Sequence, residues 1–194
     1  MLHHVMARGI EGREIFRDEN DREAFLERLA ELVGPGKCRL YAWALMTNHF
    51  HLLVRPEGAS LSAVMRRLMT GHAVRFNRRH GRKGHLFQNR YKSIVVEDEP
   101  YFLGLVRYIS LNPVRARHVG TLSELDGFPY SGHAVIVGRR EYPSQDVDSV
   151  LGRFSRSGAL ARQGGCIGSS SRPAVARADE RNSREAGWSG AREG

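Results

Sequence analysis

Along this chain the apolar positions change period several times, and each change marks an element. Residues 3 to 8, "HHVMAR", open as a short strand. In "RDENDREAFLERLAELVGPG" the residues Phe25, Leu26, Leu29, Leu32 and Val33 recur three or four apart, the spacing of one helix face. Asn20, with Glu23 three residues on, is expected to cap that helix, and Gly34-Pro35-Gly36 to stop it. Residues 39 to 46, "RLYAWALM", and 49 to 55, "HFHLLVR", read as two strands joined by a turn at Thr47-Asn48, an antiparallel hairpin. Ser60 is the expected cap of a second helix, whose apolar positions Leu61, Val64, Met65, Leu68, His72 and Phe76 keep helical spacing until Gly81. Residues 85 to 96, "HLFQNRYKSIVV", are rich in β-branched and aromatic side chains but too long for a flat strand, so a bulge or break is expected. A third helix spans "EDEPYFLGLVRYISLNP", with Asp98 as cap, Pro100 in the first turn and Pro113 turning Asn112 out of further helix.

The order strand, helix, hairpin, helix, strand, helix predicts an α+β domain with helices packed against an antiparallel sheet. After residue 151 the pattern is lost. Residues 152 to 194 carry 8 Gly, 7 Ser and 8 Arg with few large apolar side chains, so a basic, disordered tail is expected there.

Charge adds a partner to this picture. The chain carries 30 Lys and Arg against 21 Asp and Glu, a formal +9. From Ser60 to Val96 there are nine basic residues, Arg66, Arg67, Arg75, Arg78, Arg79, Arg82, Lys83, Arg90 and Lys92, and no Asp or Glu. A solvated helix face usually mixes signs, so this run points to nucleic acid, with Phe87 and Tyr91 as stacking candidates that favour a single strand. No apolar run approaches 18 residues and the first residues lack a signal peptide's apolar stretch, so a cytoplasmic protein off the membrane is expected. Cys38 and Cys166 form neither a disulfide framework nor a zinc knuckle.

The hairpin carries the candidate chemistry. His49 and His51 lie two apart on a strand and therefore point the same way, which suits a metal ion. Tyr108 and Asn112 lie four apart and would share a helix face. Two imidazoles and the Asn112 amide oxygen would make a three-ligand site with open positions and no ligand charge, suited to polarising a phosphodiester. Tyr108 would then be the nucleophile, and a phosphotyrosine link would conserve the energy of the broken bond for rejoining. Two other readings stay open: a silent module that grips hairpin DNA or serves as a domesticated regulator, and a phosphoester hydrolase using water.

The segments "YAWALMTNHFHLLVRPEG", "FNRRHGRKGHLFQNRYKSIVVEDEPYFLGLVRYISLNPVRA" and "FPYSGHAVIVG" resemble the single-tyrosine HUH transposases, in particular the REP-associated tyrosine transposase-like proteins of bacteria. The likeness covers roughly residues 3 to 138. It implies a ferredoxin-like sheet, an Mg²⁺ or Mn²⁺ ion held by His49, His51 and Asn112, and cleavage of single-stranded or hairpin DNA. Tyr108 would take the 5′-phosphate and release a free 3′-hydroxyl; Tyr101, about two turns earlier, is the rival nucleophile that the family pattern disfavours. Relatives act as monomers or homodimers, so a monomer or a homodimer is expected here, and association with the bacterial nucleoid would follow from the substrate.

Overall fold

The computed structural model describes residues 1–96 and 99–163, with Glu99, Pro100 and residues 156–163 described by backbone alone. Strand β1 (Leu2–Arg8) leads through a short 3-10 turn (Ile10–Gly12) to helix α1 (Glu19–Leu32). The hairpin β2 (Cys38–Leu45) and β3 (His49–Pro56) follows, then helix α2 (Leu61–Arg79) and strand β4 (Lys92–Val96). Helix α3 (Glu99–Ser110) runs into α4 (Asn112–Arg115), and the chain continues through α5 (Leu122–Gly127), α6 (Gly132–Ile136) and α7 (Val147–Gln163).

The four strands form one sheet in the order β2-β3-β1-β4, every pair antiparallel. With the element order β-α-β-β-α-β this is the ferredoxin-like arrangement expected from the sequence. The pleat sorts the strand residues into two cores. Val5, Phe50, Leu52 and Val54 meet Phe25 and Leu29 of α1 and Leu68 and Phe76 of α2. On the opposite face Leu2, Ala44, Leu53 and Val96 meet Phe102, Leu105 and Ile109 of α3 and Val150 of α7. A bulge between Leu40 and Ala42 shifts the register of β2 against β3.

The β2 edge is covered by the C-terminal segment. Buried Gln145 accepts from the Trp43 indole N–H at 2.9 Å and donates to the carbonyls of Tyr41 and Gly132. Ser131 caps α6 by accepting from the His133 N–H, so "FPYSGHAVIVG" serves as a clasp on the sheet.

Three sequence expectations need correction. The α1 cap is Asp18, whose carboxylate accepts from the Asp21 N–H at 3.0 Å; Asn20 is already in the first turn and exposed. Of residues 85 to 96 only Lys92–Val96 is strand. Residues 85–91 wrap past the end of β1, held by the Ile10 N–H on Leu86 oxygen and the Gln88 N–H on Arg8 oxygen, both 3.0 Å. Helix α7 crosses residue 152, where composition placed the start of a tail, and continues to Gln163; residues 164–194 lie outside the described residues. The expected cap Asp98 also lies outside them.

Candidate active site

The two imidazoles of the hairpin do face the same way. His49 opens β3 opposite Arg8, and His51 stands opposite Met6 of β1 and Ala44 of β2, in the middle of the sheet. Their ring centroids are 5.1 Å apart. Both lie on the face covered by α3, where the Tyr108 ring meets that of His51 edge-on, with centroids 6.0 Å apart. The Arg115 guanidinium lies over the phenol ring, 4.6 Å from its centroid.

Burial keeps both histidines neutral. His49 is lowered from 6.5 to about 4, first by desolvation and then by the positive neighbours Arg8 and His118. His51, 2 % exposed, is held well below the usual histidine range first by burial and then by the neighbouring imidazoles of His4 and His49. Neutral imidazoles are the form that binds a cation.

Asn112 sits differently from the helix-closing position expected of it. Helix α3 ends at Ser110, and Asn112 begins α4 instead of closing a longer helix. Pro113 has no N–H and sits comfortably in the first turn of α4. The Asn112 side chain restores the i, i+4 relation, its Nδ2 donating to the Tyr108 carbonyl at 3.1 Å. That bond consumes the donor end of the amide, so Oδ1 is the end a cation would use. Tyr101, the rival nucleophile, packs with the α3 side of the core beside Leu105 and Phe102.

Two residues of this site went unread in the sequence. His4 on β1 is 1 % exposed, and its Nε2 lies 3.0 Å from His51 Nδ1 with the rings stacked. It also meets the Tyr108 ring edge-on at 5.8 Å. The signal was present, since His4 interrupts an apolar strand just as His51 does. Asn48 was read only as a turn residue, yet its Oδ1 accepts from His49 Nδ1 at 2.7 Å.

The nine basic residues divide between the two faces. Arg66, Arg67, Arg75, Arg78 and Arg79 belong to α2, across the sheet from Tyr108. Arg82 and Lys83 follow the end of that helix, Arg82 lying against the Phe76 ring. Arg90 and Lys92, with Arg8, Gln88 and Asn89, line a small cleft beside His49. Arg90 also lines a larger groove of about 1140 Å³ between α2 and residues 84–91, where Phe87 and Tyr91 are found. Arg79 is tied to Asp18 at 2.6 Å and to Asp21 at 2.7 Å, and His80 Nε2 lies 2.8 Å from Asp21. Although Asp18, Asp21 and His80 are close enough together to share an ion, one guanidinium already pairs with both carboxylates, and we read the group as the fastening between α1 and α2.

The family model described as "Transposase IS200 like" matches residues 1–112, from β1 to Asn112. The chain belongs to the IS200-like transposases. A search of curated protein sequences returned no match. Among solved structures, a REP-associated tyrosine transposase bound to a REP hairpin is similar at 19 % identity and a TM-score of 0.56, over 75 % of this chain and 86 % of that one. A candidate transposase from Deinococcus radiodurans R1 matches at 17 % identity and a TM-score of 0.41, over 56 % of this chain and 88 % of that one. At such identity the first of these supports the ferredoxin-like α+β fold and nothing finer. Among the described residues no helix is long and apolar enough to cross a membrane.

Proposed function

We propose that this IS200-like transposase cuts and rejoins single-stranded DNA beside a hairpin through a 5′-phosphotyrosine link at Tyr108. The observation that carries the reading is the approach of the Tyr108 ring to His51, on the same sheet face as His49. In the cleavage step the Tyr108 oxygen attacks phosphorus, the Oη–P bond forms, the P–O3′ bond breaks and the 3′-oxygen leaves as a hydroxyl after taking a proton. The phenol loses its own proton on the way. Arg115 sets positive charge against the ring on which negative charge gathers. Attack by a 3′-hydroxyl on the phosphotyrosine reverses the step and joins strands without ATP.

The residues fit a divalent cation such as Mg²⁺ or Mn²⁺: two neutral imidazoles with Nδ1 engaged elsewhere, and an amide whose donor end is already bonded. His49, His51 and Asn112 would hold it, and when bound it would polarise a non-bridging phosphate oxygen. Arg8, Arg90 and Lys92 would steady the cut strand, and the exposed arginines of α2 the hairpin stem on the other face.

The test is to incubate the full chain with Mn²⁺ and a labelled single strand carrying a hairpin, then look for an SDS-resistant adduct. Wild type should form it; Tyr108→Phe should lose it entirely while binding the DNA within about threefold. Undiminished adduct in that variant overturns the assignment. The silent hairpin-binding reading draws on the α2 arginines lying away from Tyr108; it expects binding and no adduct from wild type.

A further inference from the structure

The hydrogen bonds behind the two candidate ligands decide which ring nitrogen of each can meet a cation, and they do so through residues that no metal would touch. Asn48 is the clearer case. Its Nδ2 donates to the Gly12 carbonyl at 3.0 Å, and the reverse orientation of the amide would set two oxygens against each other. The Asn48 Oδ1 therefore faces His49 Nδ1 at 2.7 Å and can only accept. His49 must carry its proton on Nδ1, which leaves the Nε2 lone pair as the ligating one.

The carbonyl that orients Asn48 is itself held by backbone conformation. Gly12 has φ +72°, a left-handed conformation that suits glycine. The Gly9 N–H donates to the Asn48 carbonyl at 2.9 Å, and the N–H groups of Ile15 and Phe16 donate to that of Thr47. The turn of the β2-β3 hairpin is thus docked on the β1-α1 connection, and Asn48 has little room to rotate.

His51 is served from β1. His4 Nε2 and His51 Nδ1 are 3.0 Å apart in a buried, stacked pair, so one donates to the other. Only donation from His51 Nδ1 leaves its Nε2 lone pair for a cation; donation by His4 would put the His51 proton on Nε2 and block it.

We propose that Asn48 and His4 are positioning residues that hold His49 and His51 in the Nδ1–H tautomer. An unrestrained histidine side chain in water favours the opposite one, with the proton on Nε2, so these partners set the pair against its default. The inference rests on the metal-centred reading above and deepens it. Outer partners of this kind typically change metal affinity by about 10–100-fold.

The experiment uses full-length protein labelled with ¹⁵N-histidine and free of metal, with long-range ¹H–¹⁵N correlation spectra to locate each ring proton. Wild type should show Nδ1–H at both His49 and His51. Asn48→Leu should move His49 alone toward Nε2–H, and His4→Leu should move His51 alone. His4→Gln, which restores an acceptor at the Nε2 position, should return His51 to Nδ1–H. Mn²⁺ affinity, measured by electron paramagnetic resonance, should fall about 10–100-fold in the two leucine variants and recover in His4→Gln. Amide spectra matching wild type show that the leucine variants are folded. A wild type that binds Mn²⁺ with Nε2–H at either histidine overturns the inference and leaves the proposed function standing. Nδ1–H at both histidines with no Mn²⁺ bound supports the tautomer assignment and strikes at the proposed function instead.

Discussion

A histidine whose proton affinity has been lowered by burial links the site to folding. His49 and His51 are lowered by desolvation first, and His72, packed between Phe16 and Phe25, is lowered for the same reason. In the unfolded chain these residues bind protons as the pH drops through 6.5, whereas folded His49 does so only near 4. The unfolded state therefore gains protons first, and stability is fully present above pH 6.5 and lost as the pH falls from there toward 4. Each such group contributes a slope of up to about 1.4 kcal/mol per pH unit inside that window. Urea midpoints of metal-free protein at pH 7.5, 6 and 5 should decline in that order, and His49→Gln should flatten the decline. A midpoint constant over this range would show that the histidines are not desolvated as described. The pair itself was legible because alternation along a strand has a period of two. The pairing of His4 with His51 was not, since it depends on strand register across a separation of 47 residues. Asn48 was hidden by its ordinary use as a turn residue.

Among the elements, α2 shows how one run of like charge can serve two ends. Arg79 is engaged with Asp18 and Asp21, and Asp18 is drawn down to about 2 chiefly by the Arg79 hydrogen bond, with desolvation opposing and the Asp21 N–H assisting. Arg75 and Arg78, with Arg28 of α1, line an open cleft between the two helices. Arg79→Ala should thus lower the urea midpoint, because Asp21 is 2 % exposed and would lose a charged partner. Arg75→Ala and Arg78→Ala should leave the midpoint alone but weaken hairpin binding, each reducing the slope of log affinity against log salt by about 1. Equal effects from all three would erase the distinction.

Gly71 gives the same helix a second test. A methyl group there would run into the Arg28 guanidinium, the movable end of a flexible side chain. Gly71→Ala should therefore stabilise the helix by up to about 1 kcal/mol in a chemical melt while pushing Arg28 aside and weakening DNA binding. Sequence periodicity identified α2 and its Ser60 cap, whose hydroxyl accepts from the Ala63 N–H. It could not tell Arg79 from Arg78, because the partners of Arg79 come from the start of α1. The same limit explains the cap of α1: the tie from Arg79 gathers the chain around Asp18, a long-range pairing that a local capping pattern at Asn20 does not register.

For the whole molecule, the sheet separates two kinds of surface that the sequence had run together. The order of elements and their periods sufficed for the α+β architecture, and the faces of β1 and β3 followed from the pleat. What the linear pattern lacked was depth: α2 and Tyr108 lie on opposite faces, although the basic run and the histidines are neighbours in sequence. The segment from 84 to 91 is the place where the faces communicate, since Arg90 borders both the cleft beside His49 and the groove along α2. If a stem rests against α2 while its flank is cut at Tyr108, the intervening nucleotides must travel around the rim of the domain. The thickness of the protein would then act as a ruler. Oligonucleotides with progressively fewer bases between stem and scissile phosphate should be gripped as firmly as the full substrate, and below a minimum count should not be cut at all.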